Sequence, residues 1–185
     1  MDNIANQATL LYNNMTTNSN TVTTQILSLY DLTATKEALL DTYTPNQTIT
    51  YVTRVENTGS ASLYNLTVVD DLAKGLTQYV DNSVEGYLNG TPIEVNVQIT
   101  NNTVIFTIDN VINPNDNVLI IFETTTPTTR PDVLTNTQTI TANGGSTTGP
   151  IVAVTPNPSA SVKLANYVSL DLSLIHISEP TRHAQ

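Results

Sequence analysis

The sequence predicts an all-β protein folded as an antiparallel β-sandwich, on the basis of its composition, its alternating apolar residues and its turn spacing. Threonine and asparagine together account for 55 of the 185 residues. Because threonine favours strands and asparagine favours tight turns, this mixture is typical of short strands joined by short loops. Roughly seven strand-like segments follow one another within about 125 residues, a spacing typical of a sandwich.

The predicted strands have apolar side chains at every second position. In the first of them, residues 48–56, Ile49, Tyr51, Thr53 and Val55 share one face. Residues 93–99 alternate strictly and are predicted as one continuous strand. The remaining predicted strands are 63–69, 103–108, 118–123, 134–141 and 151–155.

Groups of turn residues separate these strands. Asn89-Gly90 suits a type I′ hairpin because both residues tolerate positive φ, and Asn101-Asn102 is a second two-residue turn. Asn113-Pro114-Asn115-Asp116 predicts a type I turn with proline at its second position. These turns indicate antiparallel neighbours joined by short loops.

Charge and composition argue against several classes of function. Six Lys and Arg residues against 16 Asp and Glu residues give a net charge of −10, which disfavours binding to nucleic acid. The absence of cysteine excludes disulfides and thiol catalysis. No stretch approaches the ~20 consecutive apolar residues that a membrane-spanning helix needs, so we expect no membrane insertion.

The last 14 residues differ from the rest of the chain, because both histidines, His176 and His183, lie there and no asparagine does. The string LSLIHISEPTR, residues 172–182, resembles a translated sequencing-library adapter, and we interpret 172–185 as a non-native tail. Without the tail the chain has no histidine. A Ser-His-Asp or Cys-His arrangement would then lack its base, so we predict that the protein is not an enzyme.

An internal repeat predicts tandem domains. The segment Asn6-Gln-Ala-Thr-Leu10 is similar to Asn136-Thr-Gln-Thr-Ile140, displaced by 130 residues, and Ala34-Thr-Lys36 is similar to Ser161-Val-Lys163, displaced by 127. A period above ~100 residues indicates whole domains in series. We therefore expect the last strands of a preceding repeat, one complete repeat, the first strand of a following repeat and the tail. These parts are residues 1–31, 32–158, 159–171 and 172–185.

One stretch resembles a known repeat family. Ile49-Thr-Tyr-Val-Thr-Arg-Val-Glu-Asn-Thr-Gly-Ser60 and then Tyr64-Asn-Leu-Thr-Val-Val-Asp-Asp-Leu-Ala-Lys-Gly-Leu76 resemble the core of the DUF11 repeats of large prokaryotic cell-surface proteins. Leu134-Thr-Asn-Thr-Gln-Thr139 is similar to the family's closing strand, and Ala73 departs from its usual proline. The resemblance implies an immunoglobulin-like sandwich, repeated in series outside the cell, at the cell surface or in the cell wall. It implies no activity.

Carboxylates and amides offer weaker candidates for chemistry. Asp70 and Asp71 are neighbours on a strand and point to opposite faces, so they make a poor catalytic pair, and Asp70 is expected to support the following turn. Residues 81–86 imitate the start of an EF-hand loop, but Pro92 stands where its bidentate glutamate would be, and residues 113–117 offer one charge. We therefore expect no metal site and no cofactor, with calcium as the alternative.

An internal amide crosslink is a more specific hypothesis. Lys36 opens the repeat and Asn136 closes it, and the first and last strands of a sandwich can lie side by side. Burial can keep a lysine neutral, and a buried acid can polarise the amide, with Asp70, Glu123 or Asp109 as the candidate acid. The alternative is that Lys36 sits on an edge strand and discourages aberrant pairing.

These observations predict a structural spacer, an adhesin-like stalk repeat whose partners are the neighbouring repeats of its own chain. The alternative is an adhesion module that binds cell-wall or host-matrix ligands. For that function, Tyr64, Tyr79 and Tyr87 near turns would form the platform for a glycan or protein.

Overall fold

The computed structural model describes residues 3–25 and 28–165, and the predicted tail lies outside these ranges. Within them the chain forms 17 strands and no helix, and therefore no apolar helix of membrane-spanning length. The strands fall into two groups, an N-terminal hairpin and a two-sheet sandwich.

The N-terminal hairpin runs from Asn3 to Gln25 and is interrupted by a bulge. Its outer pair is antiparallel from Asn3↔Gln25 to Asn6↔Val22, and its inner pair from Thr9↔Asn18 to Tyr12↔Met15. Asn13 and Asn14 form the tip with φ of 47° and 58°. The four strands are β1 (Asn3–Asn6), β2 (Thr9–Tyr12), β3 (Met15–Asn18) and β4 (Val22–Gln25).

The sandwich contains the other 13 described strands. They are β5 (Leu32–Ala38), β6 (Thr42–Tyr43), β7 (Thr48–Asn57), β8 (Leu63–Asp71), β9 (Gln78–Tyr79), β10 (Glu85–Leu88), β11 (Thr91–Ile93), β12 (Asn96–Thr100), β13 (Thr103–Ile108), β14 (Asn117–Thr125), β15 (Val133–Gly144), β16 (Ile151–Ala153) and β17 (Ser159–Leu164).

Two sheets face each other, which confirms the predicted antiparallel β-sandwich. The first sheet has the order β11-β10-β14-β7-β5, with β9 also paired to β14. The second has the order β12-β13-β8-β15-β17-β6, with β16 also paired to β15. The pairings are antiparallel except for the short contact between β17 and β6. Strand β5 is thus an edge of the first sheet.

The inner faces of both sheets form one core. On β7 the predicted inward set, Ile49, Tyr51, Thr53 and Val55, is fully buried, as alternation requires. Aromatic side chains fill the centre, where the ring centroids of Phe106 and Phe122 are 5.0 Å apart. This packing brings side chains from the two sheets into contact across the interior.

Two predicted turns are confirmed and one differs in type. Asn89 and Gly90 have positive φ between the paired residues Leu88 and Thr91, and Asn101-Asn102 joins β12 to β13 in the same way. At the third turn Asp116 N donates to Asn113 O at 3.0 Å, but Asn115 has a φ of 67°. A positive φ at the third residue makes this a type II turn and not the predicted type I.

The strand predicted over 93–99 is divided in two. Strand β11 lies in the first sheet and β12 in the second, so the chain crosses between sheets at residues 94–95. Alternation alone does not show this crossing, because the pattern is the same whether one sheet or two receive the segment. On β12, Val97 and Ile99 are 39% and 48% exposed. The segment therefore forms two strands, β11 at an edge of the first sheet and β12 at an edge of the second.

The sandwich includes a strand from the segment predicted to begin a following repeat. That segment is residues 159–171, and its Ser159–Leu164 pairs with β15. Ala160 and Val162 on this strand are buried, with Val162 fully so. Burial of this alternating face explains why the strand closes the second sheet, and the sandwich therefore extends to residue 164.

Candidate functional site

A buried lysine lies between the two sheets. Lys36 is on edge strand β5, directly opposite Thr53 of β7, and alternation turns its side chain inward together with Leu32. The Lys36 side chain has no solvent exposure. A charged side chain this deep in a core requires a partner.

Asp70 is that partner. It lies near the end of β8, between Val104 of β13 and Gln138 of β15, and its side chain also has no solvent exposure. The Nζ atom of Lys36 donates to Asp70 Oδ2 at 2.7 Å. The ion pair therefore bridges the two sheets.

Two carboxamides complete the cluster, and both belong to β15. Asn136 Nδ2 donates to Asp70 Oδ2 at 3.2 Å, and Gln138 Nε2 donates to the same oxygen at 3.0 Å. Gln138 Oε1 in turn accepts a hydrogen bond from Thr53 Oγ1 at 2.7 Å. One carboxylate oxygen thus accepts hydrogen bonds from an ammonium and two amides.

Aromatic rings enclose the lysine. Its Nζ lies 4.8 Å from the Tyr51 ring centroid and 5.0 Å from that of Phe122, and the two rings are stacked 5.7 Å apart. Burial lowers the pKa of Lys36 to about 8, and this desolvation outweighs the opposing attraction of Asp70. Burial, together with the Asp70 charge, raises the pKa of Tyr51 to about 12.

Two oxygens in the cluster lack hydrogen-bond partners. They are Asp70 Oδ1 and Asn136 Oδ1, both buried. Movement of a proton from Lys36 to Asp70 would leave a neutral amine and a carboxylic acid, and the acid could then donate to the Asn136 oxygen. Neutralisation of the pair removes two charges from a dry interior, and the new hydrogen bond satisfies an orphaned acceptor.

The structure brings the three predicted crosslink residues together but by a different route. Lys36 and Asn136 do not lie on side-by-side strands, since β5 and β15 belong to opposite sheets. At Asn136 the strand paired with β15 is β17, where Asn136 lies opposite Ala160. Lys36 therefore reaches Asp70 across the core and not along a shared sheet edge.

Among the candidate acids, only Asp70 lies at the cluster. Asp109 is exposed and accepts from Asn96, and Glu123 lies on the outward face of β14, next to inward Phe122. The expectation that Asp70 supports the turn is wrong, because Asp71 does so by accepting from Lys74 N and pairing with Lys74 Nζ at 2.9 Å.

Sequence reasoning missed Gln138, Thr53 and the aromatic walls. Gln138 and Thr53 occupy inward positions of otherwise apolar strand faces. A polar residue at such a position is a usable signal, because buried polar groups need partners. The predicted face of β7 already contained Thr53.

The acid of the second candidate calcium segment, residues 113–117, has hydrogen-bond partners within the protein. Asp116 caps its own turn, since Oδ2 accepts from Asn113 N and Oδ1 accepts from Asn89 Nδ2, both at 2.7 Å. Across residues 3–25 and 28–165 no group of three or more acidic side chains is positioned to hold a metal ion.

The three tyrosines of the binding alternative do not form one platform. Tyr64 lies on β8 of the second sheet, whereas Tyr87 lies on β10 of the first and donates to Glu85. Tyr79 is partly buried and packs edge-on against Phe106 with ring centroids 6.0 Å apart, so its ring contacts the core.

Comparison with known proteins identifies the fold. Neither a family model nor a curated protein sequence matches the chain. The crystal structure of BcpA, the major pilin subunit of Bacillus cereus, matches with a TM-score of 0.55 at 13% identity, covering 86% of this chain and 47% of that one. Domains D2 and D3 of the major pilin SpaD from Corynebacterium diphtheriae match with a TM-score of 0.55 at 16% identity, covering 69% and 51%.

A third matching structure comes from a surface protein and not from a pilin subunit. ACE19, the collagen-binding subdomain of the Enterococcus faecalis surface protein ACE, matches with a TM-score of 0.50 at 10% identity, covering 76% of this chain and 99% of that one. The chain spans about half the length of the two pilin structures. These similarities confirm the immunoglobulin-like antiparallel β-sandwich. In this chain the core of the sandwich contains a buried cluster of a lysine, an acid and amides.

Proposed function

We propose that this protein is a non-enzymatic structural module of a large extracellular surface protein, and that an amide bond between Lys36 and Asn136 locks its sandwich. The observation that carries the proposal is the convergence of the Lys36 amine and the Asn136 amide on one oxygen of Asp70, inside a core without solvent access. An ion pair in this position needs a reason, because well-packed apolar residues are often at least as stabilising as a buried salt bridge.

The proposed reaction needs no external reagent. Lys36 passes its extra proton to Asp70, and the neutral Nζ attacks Cγ of Asn136 while the acid donates to Oδ1. A bond forms between Nζ and Cγ, the bond from Cγ to Nδ2 breaks, and Nδ2 leaves as ammonia with a proton from Nζ. The products are one secondary amide and one ammonia. The walls formed by Tyr51 and Phe122 exclude the water that would otherwise solvate the amine.

Two lines of support favour a surface protein. Residues 49–76 and 134–139 resemble the DUF11 repeats of prokaryotic cell-surface proteins. The fold matches major pilin subunits and a collagen-binding subdomain of a surface protein. A serial spacer of this kind has the neighbouring repeats of its own chain as partners, and its task is to hold a distal region away from the cell.

The mass of the intact purified protein tests the crosslink. We expect the folded wild-type chain to be lighter than its sequence mass by one ammonia, and peptide mapping to recover a branched peptide joining Lys36 to Asn136. Full sequence mass in a folded wild-type sample would overturn the crosslink.

Matched variants assign the roles. Lys36→Met, Asn136→Ala and Asp70→Asn should each restore the full sequence mass. Lys163→Met and Asp71→Asn are the controls, since Lys163 is exposed and Asp71 lies outside the core, and both should still lose ammonia. Circular dichroism in the far ultraviolet separates loss of the reaction from loss of the fold.

A further inference from the structure

The N-terminal hairpin leaves apolar side chains without a core. Among the described residues its strands pair only with one another, and six large apolar side chains are 59 to 73% exposed. A two-stranded hairpin is marginally stable alone, and a contiguous apolar face marks an interaction surface. The exposed residues are Ile4, Leu10, Leu11, Tyr12, Met15 and Val22.

The pairing of this hairpin repeats the pairing that closes the sandwich. Adding 130 to the β1 residues and 138 to the β4 residues turns Asn3↔Gln25 into Val133↔Lys163, and Asn6↔Val22 into Asn136↔Ala160. The two pairs between them correspond in the same way. The register of β1 with β4 is thus the register of β15 with β17.

The inner half of the hairpin follows the same rule. With 130 added to β2 and 137 to β3, Tyr12↔Met15 becomes Ala142↔Val152, a pair that joins β15 to β16. A single offset of 130 therefore relates both β1 and β2 to β15. The offsets of β4 and β3, 138 and 137, differ by one residue, so the hairpin is a shortened copy of β15–β17.

The faces also correspond. The inward residues of β15 include Leu134, Asn136 and Ile140, and the same offset places Ile4, Asn6 and Leu10 at these positions. Because alternate residues of a strand share a face, Ile4, Asn6, Leu10 and Tyr12 lie on one side. The apolar side that the hairpin leaves open is the side that β15 turns to its core.

We propose that the N-terminal hairpin completes a second β-sandwich of this architecture, and that Asn6 is the amide that the second sandwich joins to its own lysine. The occupant of the open face is the body of a preceding repeat, with strands equivalent to β5 through β14. The part concerning Asn6 rests on the crosslink proposed above. The reaction has the same balance, with ammonia leaving from Asn6 Nδ2.

One position differs in a way that affects the rate. Ala8 stands where β15 has Gln138, so the acid of the second sandwich loses one of its two amide donors. The Asn6 crosslink should therefore form more slowly than the Asn136 crosslink.

A duplicated body tests the inference in the full chain. Residues 28–132 of this protein are placed directly ahead of residue 3, which supplies a second Lys36 and Asp70 and lets the hairpin take the place of β15–β17. We expect a mass lower than the sequence mass by two ammonias. Amide hydrogen exchange in β1 and β4 should slow by about 100-fold or more relative to the chain without the extension.

Each outcome has a distinct meaning. Slow exchange with loss of two ammonias, one of them abolished by Asn6→Ala, supports the whole proposal. Slow exchange with a single loss, abolished by Asn136→Ala, keeps the docking and overturns the role of Asn6. Slow exchange without any loss overturns the crosslink and leaves the docking supported. Unchanged exchange in the hairpin overturns the docking.

Two substitutions on adjacent residues provide the matched control. Leu10→Asp places a charge on the face that should be buried, whereas Leu11→Asp places it on the opposite face. In the extended chain Leu10→Asp should abolish the slow exchange, and Leu11→Asp should leave it unchanged. Equal effects would contradict the assigned face.

Discussion

Gln138 links the two sheets through a chain of hydrogen bonds that begins at Thr53 and ends at Asp70. Its amide is held at both ends, with Thr53 Oγ1 at 2.7 Å and Asp70 Oδ2 at 3.0 Å. Asn136, by contrast, has an unpartnered Oδ1. Because the Gln138 carbonyl oxygen is already occupied, Asn136 is the amide that is free to be polarised. In the proposed reaction, Gln138 therefore positions the acid and does not react.

Gln138→Leu should slow crosslinking without abolishing it. The substitution removes one of two amide donors to Asp70 and leaves the Thr53 hydroxyl unsatisfied, which costs about 1 to 3 kcal/mol of stability. The reaction is followed by mass after refolding. Thr53→Val is the control, since it breaks the outer bond while Gln138 still donates to Asp70, so its rate should stay nearer the wild-type value. Equal rates in the two variants would contradict a positioning role.

The Lys36 environment predicts a pH dependence of stability in the Asn136→Ala variant, which cannot crosslink. The folded pKa of about 8 lies below the unfolded value of 10.5, so between these pH values the unfolded lysine binds a proton that the folded one lacks. Stability therefore rises with pH across this window, by up to about 3 kcal/mol. Above pH ~10 Tyr51 reverses the trend, because its pKa is raised to about 12 in the fold and the unfolded tyrosine ionises first.

Urea denaturation at several pH values between about 7 and 10 measures this profile. The double variant with Lys36→Met is the control and should lose the rise. A flat profile in Asn136→Ala would contradict the lowered lysine pKa.

The three residues of the crosslink hypothesis could be predicted from the sequence, but their arrangement in space could not. The places of Lys36 and Asn136 in the repeat identify them, whereas Asp70 is one of three candidate acids and the sequence predicts that it supports a turn. A bulge decides its role. Asn65 has a φ of 51°, and this break in alternation brings Leu63 and Leu66 to one face, so that Asp70 follows inward.

Turns were the most predictable elements, since asparagine and glycine at positive φ carry a local cause. The turn at 113–116 shows the limit. Proline at the second position suits both type I and type II, and the φ of 67° at Asn115 decided between them. Strand partners were less predictable, because the alternation over 93–99 is the same whether one sheet or two receive it.

Asn115 should tolerate glycine and resist alanine. A φ of 67° is left-handed, which costs an L-residue with a Cβ about 1 to 2 kcal/mol, whereas asparagine bears it better and glycine bears it freely. We expect Asn115→Ala to lower the free energy of unfolding by about 1 kcal/mol and Asn115→Gly to leave it nearly unchanged. Chemical denaturation compares the two, and equal values would contradict the turn geometry.

For the whole molecule, the position of the lysine on an edge strand decides what a crosslink would achieve. Strand β5 has one sheet neighbour, β7, so one of its two sides has no hydrogen-bonded strand in the first sheet. Joining it to β15 ties it to the second sheet and closes a loop of about 100 residues. By the loop-closure argument developed for disulfides, such a closure stabilises by about 4 to 5 kcal/mol through the unfolded chain. The repeat boundaries and the DUF11 resemblance remain predictions.

Pulling the chain from its two ends provides a mechanical test of the spacer proposal. Force that peels the edge strands would reach Lys36 and Asn136 and stop, because the residues between them are bypassed by a covalent bond. At about 3.5 Å per extended residue, some 350 Å of contour length should be missing from the unfolding of the wild-type chain. Asn136→Ala should release that length in full, and Lys163→Met should not. A wild-type chain that extends as far as Asn136→Ala would show that hydrogen bonds and packing alone carry the load.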